Sequence, residues 1–143
     1  MGPDCRFDHS FAAQAMEVRL VLTRLRRASV LRGLSPESAE SCELVLAEAM
    51  NNIVEHAYGG GDGSLRLTLL RGRHHVICRL LDRGRPLPGL TLPPGRLPPQ
   101  DDSPAEGGYG WFLIHSLSQR LHYRRADGMN RLFIVVTANS RAA

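Results

Sequence analysis

Apolar side chains recur at helical spacing through the first part of the chain. Phe11, Ala15, Val18, Leu22 and Leu25 step by four, three, four and three residues, which puts them on one face of an amphipathic helix. Gly33, suited to the left-handed position after a helix, predicts where this segment stops. A second helix opens at Ser35-Pro36-Glu37, with a serine N-cap, a proline at the first position and an acid in the first turn. Its apolar face is Cys42, Leu46, Ala49, Ile53 and Ala57, and the run Gly59-Gly60-Gly61-Asp62-Gly63 ends it. Ahead of both, Met1–Ser10 reads as a polar lead-in with an edge strand around Arg6–Asp8.

After the glycines the period drops to two. Leu65, Leu67 and Leu69 alternate with Arg66, Thr68 and Leu70, which predicts a half-buried strand over Ser64–Leu70. His75–Leu81 is a second strand, joined to the first by Arg71-Gly72-Arg73-His74. Seven of the nine prolines then fall between Pro86 and Pro104, with neither period. An excursion of about twenty residues inside a compact unit reads as a lid over a site. Gly107-Gly108-Tyr109-Gly110 closes it and leads into a helical run, Trp111–Leu117. Leu121–Arg125 and Arg131–Ala138, around Asp127-Gly128, complete the chain as a second pair of strands. This order predicts an α+β fold: a two-layer sandwich with helices on one face of a mixed, mostly antiparallel sheet.

Length and composition narrow the picture. A chain of 143 residues suits one domain, here residues 1–143, and 43% hydrophobic with 22% charged residues is ordinary globular usage. No apolar run is long enough to span a membrane, and the first residues lack a secretory hydrophobic core, so a cytoplasmic protein is expected. The formal charge is +4, and all 18 basic residues are arginines. They are scattered from Arg6 to Arg141, and the densest group, Arg19, Arg24, Arg26 and Arg27, reads as the solvated face of the first helix. No nucleic-acid partner is therefore expected. The absence of lysine excludes Schiff-base chemistry and a Walker-type phosphate lysine. Cys5, Cys42 and Cys78 form neither a disulfide framework nor a zinc motif, and the latter two read as core residues. His56, His74, His75, His115 and His122 lack metal-ligand spacing and read as structural or surface residues.

Three constellations could carry chemistry. Glu48 and Asn52 lie four apart on the second helix, side by side and about 100° round from the apolar stripe. A carboxylate beside a carboxamide can orient a nucleophile and hold Mg²⁺, which prefers hard oxygen ligands. Asp82-Arg83-Gly84 ends a strand, where the carboxylate can face a crevice and accept from an exocyclic amine. Gly107-Gly108-Tyr109-Gly110-Trp111 runs into a helix start, where free backbone N–H groups favour an anion. Each has a plain structural alternative: an exposed Glu with an Asn near a helix end, a simple turn, and a flexible loop.

Together, in this order, the three resemble the motifs of the histidine-kinase-like ATPase superfamily, and more narrowly those of the bacterial anti-sigma factor serine/threonine kinases. The N box is matched by Glu48–Tyr58, with its closing His56-Ala57-Tyr58. The first glycine box is matched by Leu81–Pro86, the second by Glu106–Ile114, and the closing segment by Tyr123–Val136. The resemblance covers Phe7 to Val136. It implies that Glu48 is a general base and that Asn52 ligates Mg²⁺. It implies that Asp82 binds the adenine amino group, with Gly84 letting the base lie against the backbone. Gly108, Tyr109 and Gly110 would lie at the ATP phosphates, under a lid formed by Pro86–Glu106. Pro86 replaces a glycine of many superfamily members, as in the anti-sigma branch, and Trp111 stands where leucine is usual. Glu106 stands where some relatives carry an arginine, and Asn130 lies near the place of an adenine-side threonine. The function implied is an ATP-dependent kinase that binds a sigma factor or analogous target and phosphorylates a serine of a small antagonist protein. A homodimer formed through the first helix or a sheet edge would fit the family. The alternatives are an ATP-binding switch that transfers no phosphate and a detached histidine-kinase-type catalytic domain.

Overall fold

The computed structural model describes residues 5–96 and 108–140. Strand β1 spans Arg6–Ala12, helix α1 Ala15–Arg27, helix α2 Pro36–Asn52, strand β2 Ser64–Arg71 and strand β3 His75–Asp82. Helix α3 spans Gly108–Leu117, strand β4 Arg120–Ala126 and strand β5 Met129–Thr137. The sheet order is β1-β2-β3-β5-β4. All four ladders are antiparallel, so the parallel component allowed by the sequence reading does not occur. The reason is topological: two hairpins, β2–β3 and β4–β5, are joined so that β5 returns beside β3 in the opposite direction.

The start of the chain differs from the helical reading. Phe11 belongs to β1, which pairs along β2 from Arg6↔Leu70 to Ala12↔Ser64. Phe7, His9 and Phe11 alternate with the exposed Arg6, Asp8 and Ser10, and this two-residue period prevails over the chance match of Phe11 to the helical spacing. Helix α1 begins only at Ala15 and ends at Arg27, short of Gly33. A 3-10 turn, Ser29–Leu31, then buries Val30 and Leu31, and Gly33 turns the chain at φ +76°. Helix α2 starts as expected, with the Ser35 side-chain oxygen accepting from the Ser38 N–H at 3.2 Å.

The end of α2 holds a feature the apolar spacing does not reveal. Ile53–Ala57 forms a π turn, and the Tyr58 N–H donates to the Ile53 carbonyl at 3.1 Å. Such widened turns recur beside functional sites. Tyr58 then anchors the junction: its hydroxyl donates to the Ser64 carbonyl at 2.7 Å and accepts from the Arg83 N–H at 2.8 Å.

Leu65, Leu67, Leu69, Val76, Cys78, Leu80, Ile134 and Val136 project from one sheet face and are buried. They form one core with Val18, Val21 and Leu25 of α1 and with Cys42, Val45, Leu46 and Ala49 of α2. Cys42 and Cys78 are free and fully covered, and their mutual contact together with burial holds the Cys78 thiol protonated. On the opposite face Leu70 and Ile77 are exposed. The β4–β5 hairpin closes on Asp127 and Gly128 with φ of 54° and 71°, the two left-handed residues of a type I′ turn. Among the described residues no helix is long and apolar enough to cross a membrane.

Candidate functional site

Helix α2 supplies one wall of the site. Glu48 and Asn52 lie one turn apart and both are partly buried. The amide nitrogen of Asn52 is shielded from solvent and has no hydrogen-bond partner among the described residues. A buried donor of this kind costs free energy unless a ligand completes it. Oxygen and nitrogen of the carboxamide exchange places by a half-rotation, so the same position can present an oxygen to a cation.

Helix α3 closes on this wall. It begins at Gly108, three residues earlier than the Trp111 start read from the sequence, so Gly108, Tyr109 and Gly110 form its first turn and do not precede it. Their N–H groups are therefore the unsatisfied donors of a helix N-terminus. Gly110 is packed against the other two residues: a Cβ there would stand 2.9 Å from Glu48 Oε2 and 3.4 Å from Asn52 Nδ2. Tyr109 turns its ring to solvent and does not line the cavity described below. Glu106 and Gly107 of the glycine motif, and residues 97–106 of the expected lid, lie outside the described residues.

The floor is built by the end of β3 and its neighbour β5, where Asp82 and Asn130 face each other across the ladder. Both are buried, and Asn130 Nδ2 donates to Asp82 Oδ1 at 2.8 Å. The Gly84 N–H donates to the same oxygen at 2.9 Å. Among the described residues no hydrogen bond falls on Oδ2. Burial pushes the Asp82 carboxyl above the ordinary aspartate range, against the opposing pull of Asn130, Gly84 and the Arg125 charge. Asn130 is a hub: its Oδ1 accepts from the Tyr123 hydroxyl at 2.6 Å and from Arg125 at 3.0 Å. Its Nδ2 also donates to the Arg85 carbonyl at 2.9 Å. Tyr123 in turn accepts from the Leu87 N–H at 3.0 Å, tying the start of the proline-rich segment to the floor.

Gly84 has a packing reason of its own. A Cβ there would lie 2.5 Å from the Ala57 carbonyl oxygen and 2.7 Å from the Ala57 Cβ, and the Arg85 N–H donates to that carbonyl at 2.7 Å. Gly84→Ala is expected to cost about 1–3 kcal/mol, because backbone must move to admit the methyl group. Urea unfolding measures it, and a midpoint equal to wild type would show that this junction yields freely.

Between α2, the floor and the proline-rich segment lies a cavity of about 410 Å³ whose lining includes Asn52, Asp82, Arg85, Trp111, Tyr123 and Asn130. That is within the usual size of small-molecule sites. Trp111 is buried at the cavity wall. Beside it His115 Nε2 lies 2.9 Å from the Pro93 carbonyl, and Gly95 packs against the same imidazole, so residues 93–95 rest on α3. Arg85 reaches the His56 carbonyl at 3.2 Å, placing a cation at the end of α2. The structure thus brings Glu48, Asn52 and Gly110 into contact and places Asp82 across the cavity from Asn52. Tyr123, Arg125 and His115 are residues the sequence reading did not single out for the site. Tyr123 and Arg125 share the two-residue period of β4, but their convergence on Asn130 appears only once the β4–β5 register is known.

The comparisons with known proteins agree with this arrangement. A histidine kinase-like ATPase domain matches residues 11–136. The serine/threonine-protein kinase BtrW of Bordetella bronchiseptica is 37% identical over 87 residues, 59% of this chain and 61% of that protein. The serine-protein kinase RsbW of Halalkalibacterium halodurans is 31% identical over 104 residues, 68% of this chain and 62% of that protein. The chain therefore spans about three fifths of the length of these relatives. A crystal structure of RsbU and RsbW domains from Mycobacterium tuberculosis superposes with a TM-score of 0.62 over 96% of this chain and 34% of that one, at 15% identity. With a match that runs from β1 to the end of β5 and a cavity between the motif segments, the chain belongs to the histidine kinase-like ATPase family.

Proposed function

We propose that this protein is an ATP-dependent serine/threonine kinase of the anti-sigma type, working in the cytoplasm. It holds a sigma factor or an analogous target and phosphorylates a serine of a small antagonist protein. The observation that carries this reading is the contact of Glu48, Asn52 and Gly110 beside a cavity floored by Asp82. A binding module alone would need neither the carboxylate nor the buried, unpartnered carboxamide.

In this reading Asp82 accepts from the adenine amino group and the first-turn N–H groups of α3 meet the phosphates. Glu48 takes the proton of the substrate hydroxyl as that oxygen bonds to the γ-phosphorus. The bond from phosphorus to the bridging oxygen breaks, and ADP leaves with the electron pair. The carboxylate stands at the helix edge next to Gly110, where no side chain intervenes. Asn52 fits Mg²⁺, since its buried amide end lacks a partner and can turn its oxygen outward. When bound, the ion supplies charge neutralisation to the phosphates, a role that no lysine can take in this chain.

The direct test is incubation of the purified protein with labelled ATP, Mg²⁺ and candidate antagonist proteins. Label on an antagonist serine is expected, and label on none of them would leave the enzyme reading without support. Asn52→Ala is expected to raise the Mg²⁺ concentration needed for nucleotide binding about tenfold, as one oxygen ligand is lost. Calorimetry at several Mg²⁺ concentrations reads this directly, and an unchanged dependence would remove Asn52 from the metal role.

A further inference from the structure

The sheet face turned away from the helices has a charge pattern that the nucleotide site does not use. Cross-strand register lines its outward residues into rungs. One rung reads Leu70, Ile77, Val135 and Arg120. The next reads Thr68, Arg79, Phe133 and His122, and the third Arg66, Leu81, Arg131 and Arg124. Asp8 is the acid on the outward positions of these strands, and it is already engaged by Arg66 at 2.7 Å and Arg6 at 3.3 Å. Among the described residues no carboxylate pairs with Arg79, Arg120, Arg124 or Arg131.

Two further observations show that this face is unbalanced as it stands. Arg124 and Arg131 are direct cross-strand neighbours, an arrangement of like charges that destabilises a sheet. The Nε atoms of Arg79 and Arg131 are shielded from water and lack an acceptor. Between the charges, Leu70 and Ile77 remain 46% and 44% exposed. A shallow cavity of about 140 Å³ opens on the same face between Arg66, Leu81, Arg83 and Met129.

We propose that this face docks an acidic segment of a partner protein in which carboxylates alternate with aliphatic side chains. The carboxylates would meet Arg79, Arg120, Arg124 and Arg131, and the aliphatic groups would cover Leu70 and Ile77. A second copy of the chain would set arginine against arginine. Nucleic acid would satisfy the charges but leave the aliphatic rung against phosphate and sugar. Charge complementarity therefore selects a polypeptide. The proposal is independent of the kinase reading, since it uses none of the cavity residues that bind nucleotide there.

The test uses the full chain and fluorescence anisotropy with three labelled probes: a peptide alternating Glu and Leu, an all-Glu peptide, and a single-stranded oligonucleotide of equal charge. The alternating peptide is expected to bind tightest. R124E/R131E should weaken it by about tenfold or more, L70S/I77S should weaken it as well, and added salt should act in the same direction. Thermal melting checks each variant, and R120Q/R124Q replaces the charge reversal if that variant unfolds. ATP affinity should remain unchanged throughout. Tighter binding of the oligonucleotide, equal binding of the two peptides, no loss in the arginine variants, or self-association abolished by them would each overturn the proposal.

Discussion

Glu48→Gln is expected to slow phosphate transfer by about 10²–10⁴-fold, the usual worth of a positioned general base, while ATP affinity stays within a few-fold. The amide keeps the size and packing of the carboxylate beside Gly110 but cannot take a proton. Single-turnover transfer and calorimetry on the same sample separate the two effects. Transfer at the wild-type rate would assign the base elsewhere, whereas loss of binding together with transfer would make Glu48 a binding residue.

Asp82→Asn should weaken ATP by about 10²-fold, because a hydrogen bond to a charged acceptor is replaced by an opposed pair of donors. The sign follows from the neighbours. Asn130 and Gly84 both donate to one oxygen of Asp82, so the new side chain must keep its oxygen there and present its NH₂ to the incoming amino group. The buried carboxyl has a second consequence. Its pKa is raised, so affinity should fall with acidification at a pH above the ordinary aspartate range. Folding stability should run the other way. The folded protein disfavours the ionised form, so this group contributes more stability as pH falls from the folded towards the unfolded pKa. Opposite slopes of affinity and stability, both flattened in the variant, are the expected signature, and parallel slopes would place the titration on another group.

Much of this site is legible in the sequence because its parts are local. Glu48 and Asn52 share a helix face by spacing alone, and Asp82 is marked by the end of an apolar run. The second glycine motif is readable as a helix start, although its three residues prove to be the first turn of α3. What escapes is everything fixed by register or by competition between periods. Phe11 fits a helix and a strand equally well until β2 pairs with it. The partnership of Asp82 with Asn130 spans 48 positions and depends on the β3–β5 alignment. Gly84 looks like a concession to a ligand, and its tight contact with Ala57 emerges only when α2 and β3 are seen to end at the same place.

The π turn makes the length of the Ile53–Ala57 segment matter more than its composition. Removing one residue there would restore an ordinary helical turn and swing everything beyond by about 100°. Tyr58 would then leave both Ser64 and Arg83, and the Ala57 carbonyl would leave Arg85. Single-residue deletions should accordingly be far harder to accommodate in this stretch than side-chain exchanges, and the glycine run behind it offers no slack that could undo the rotation.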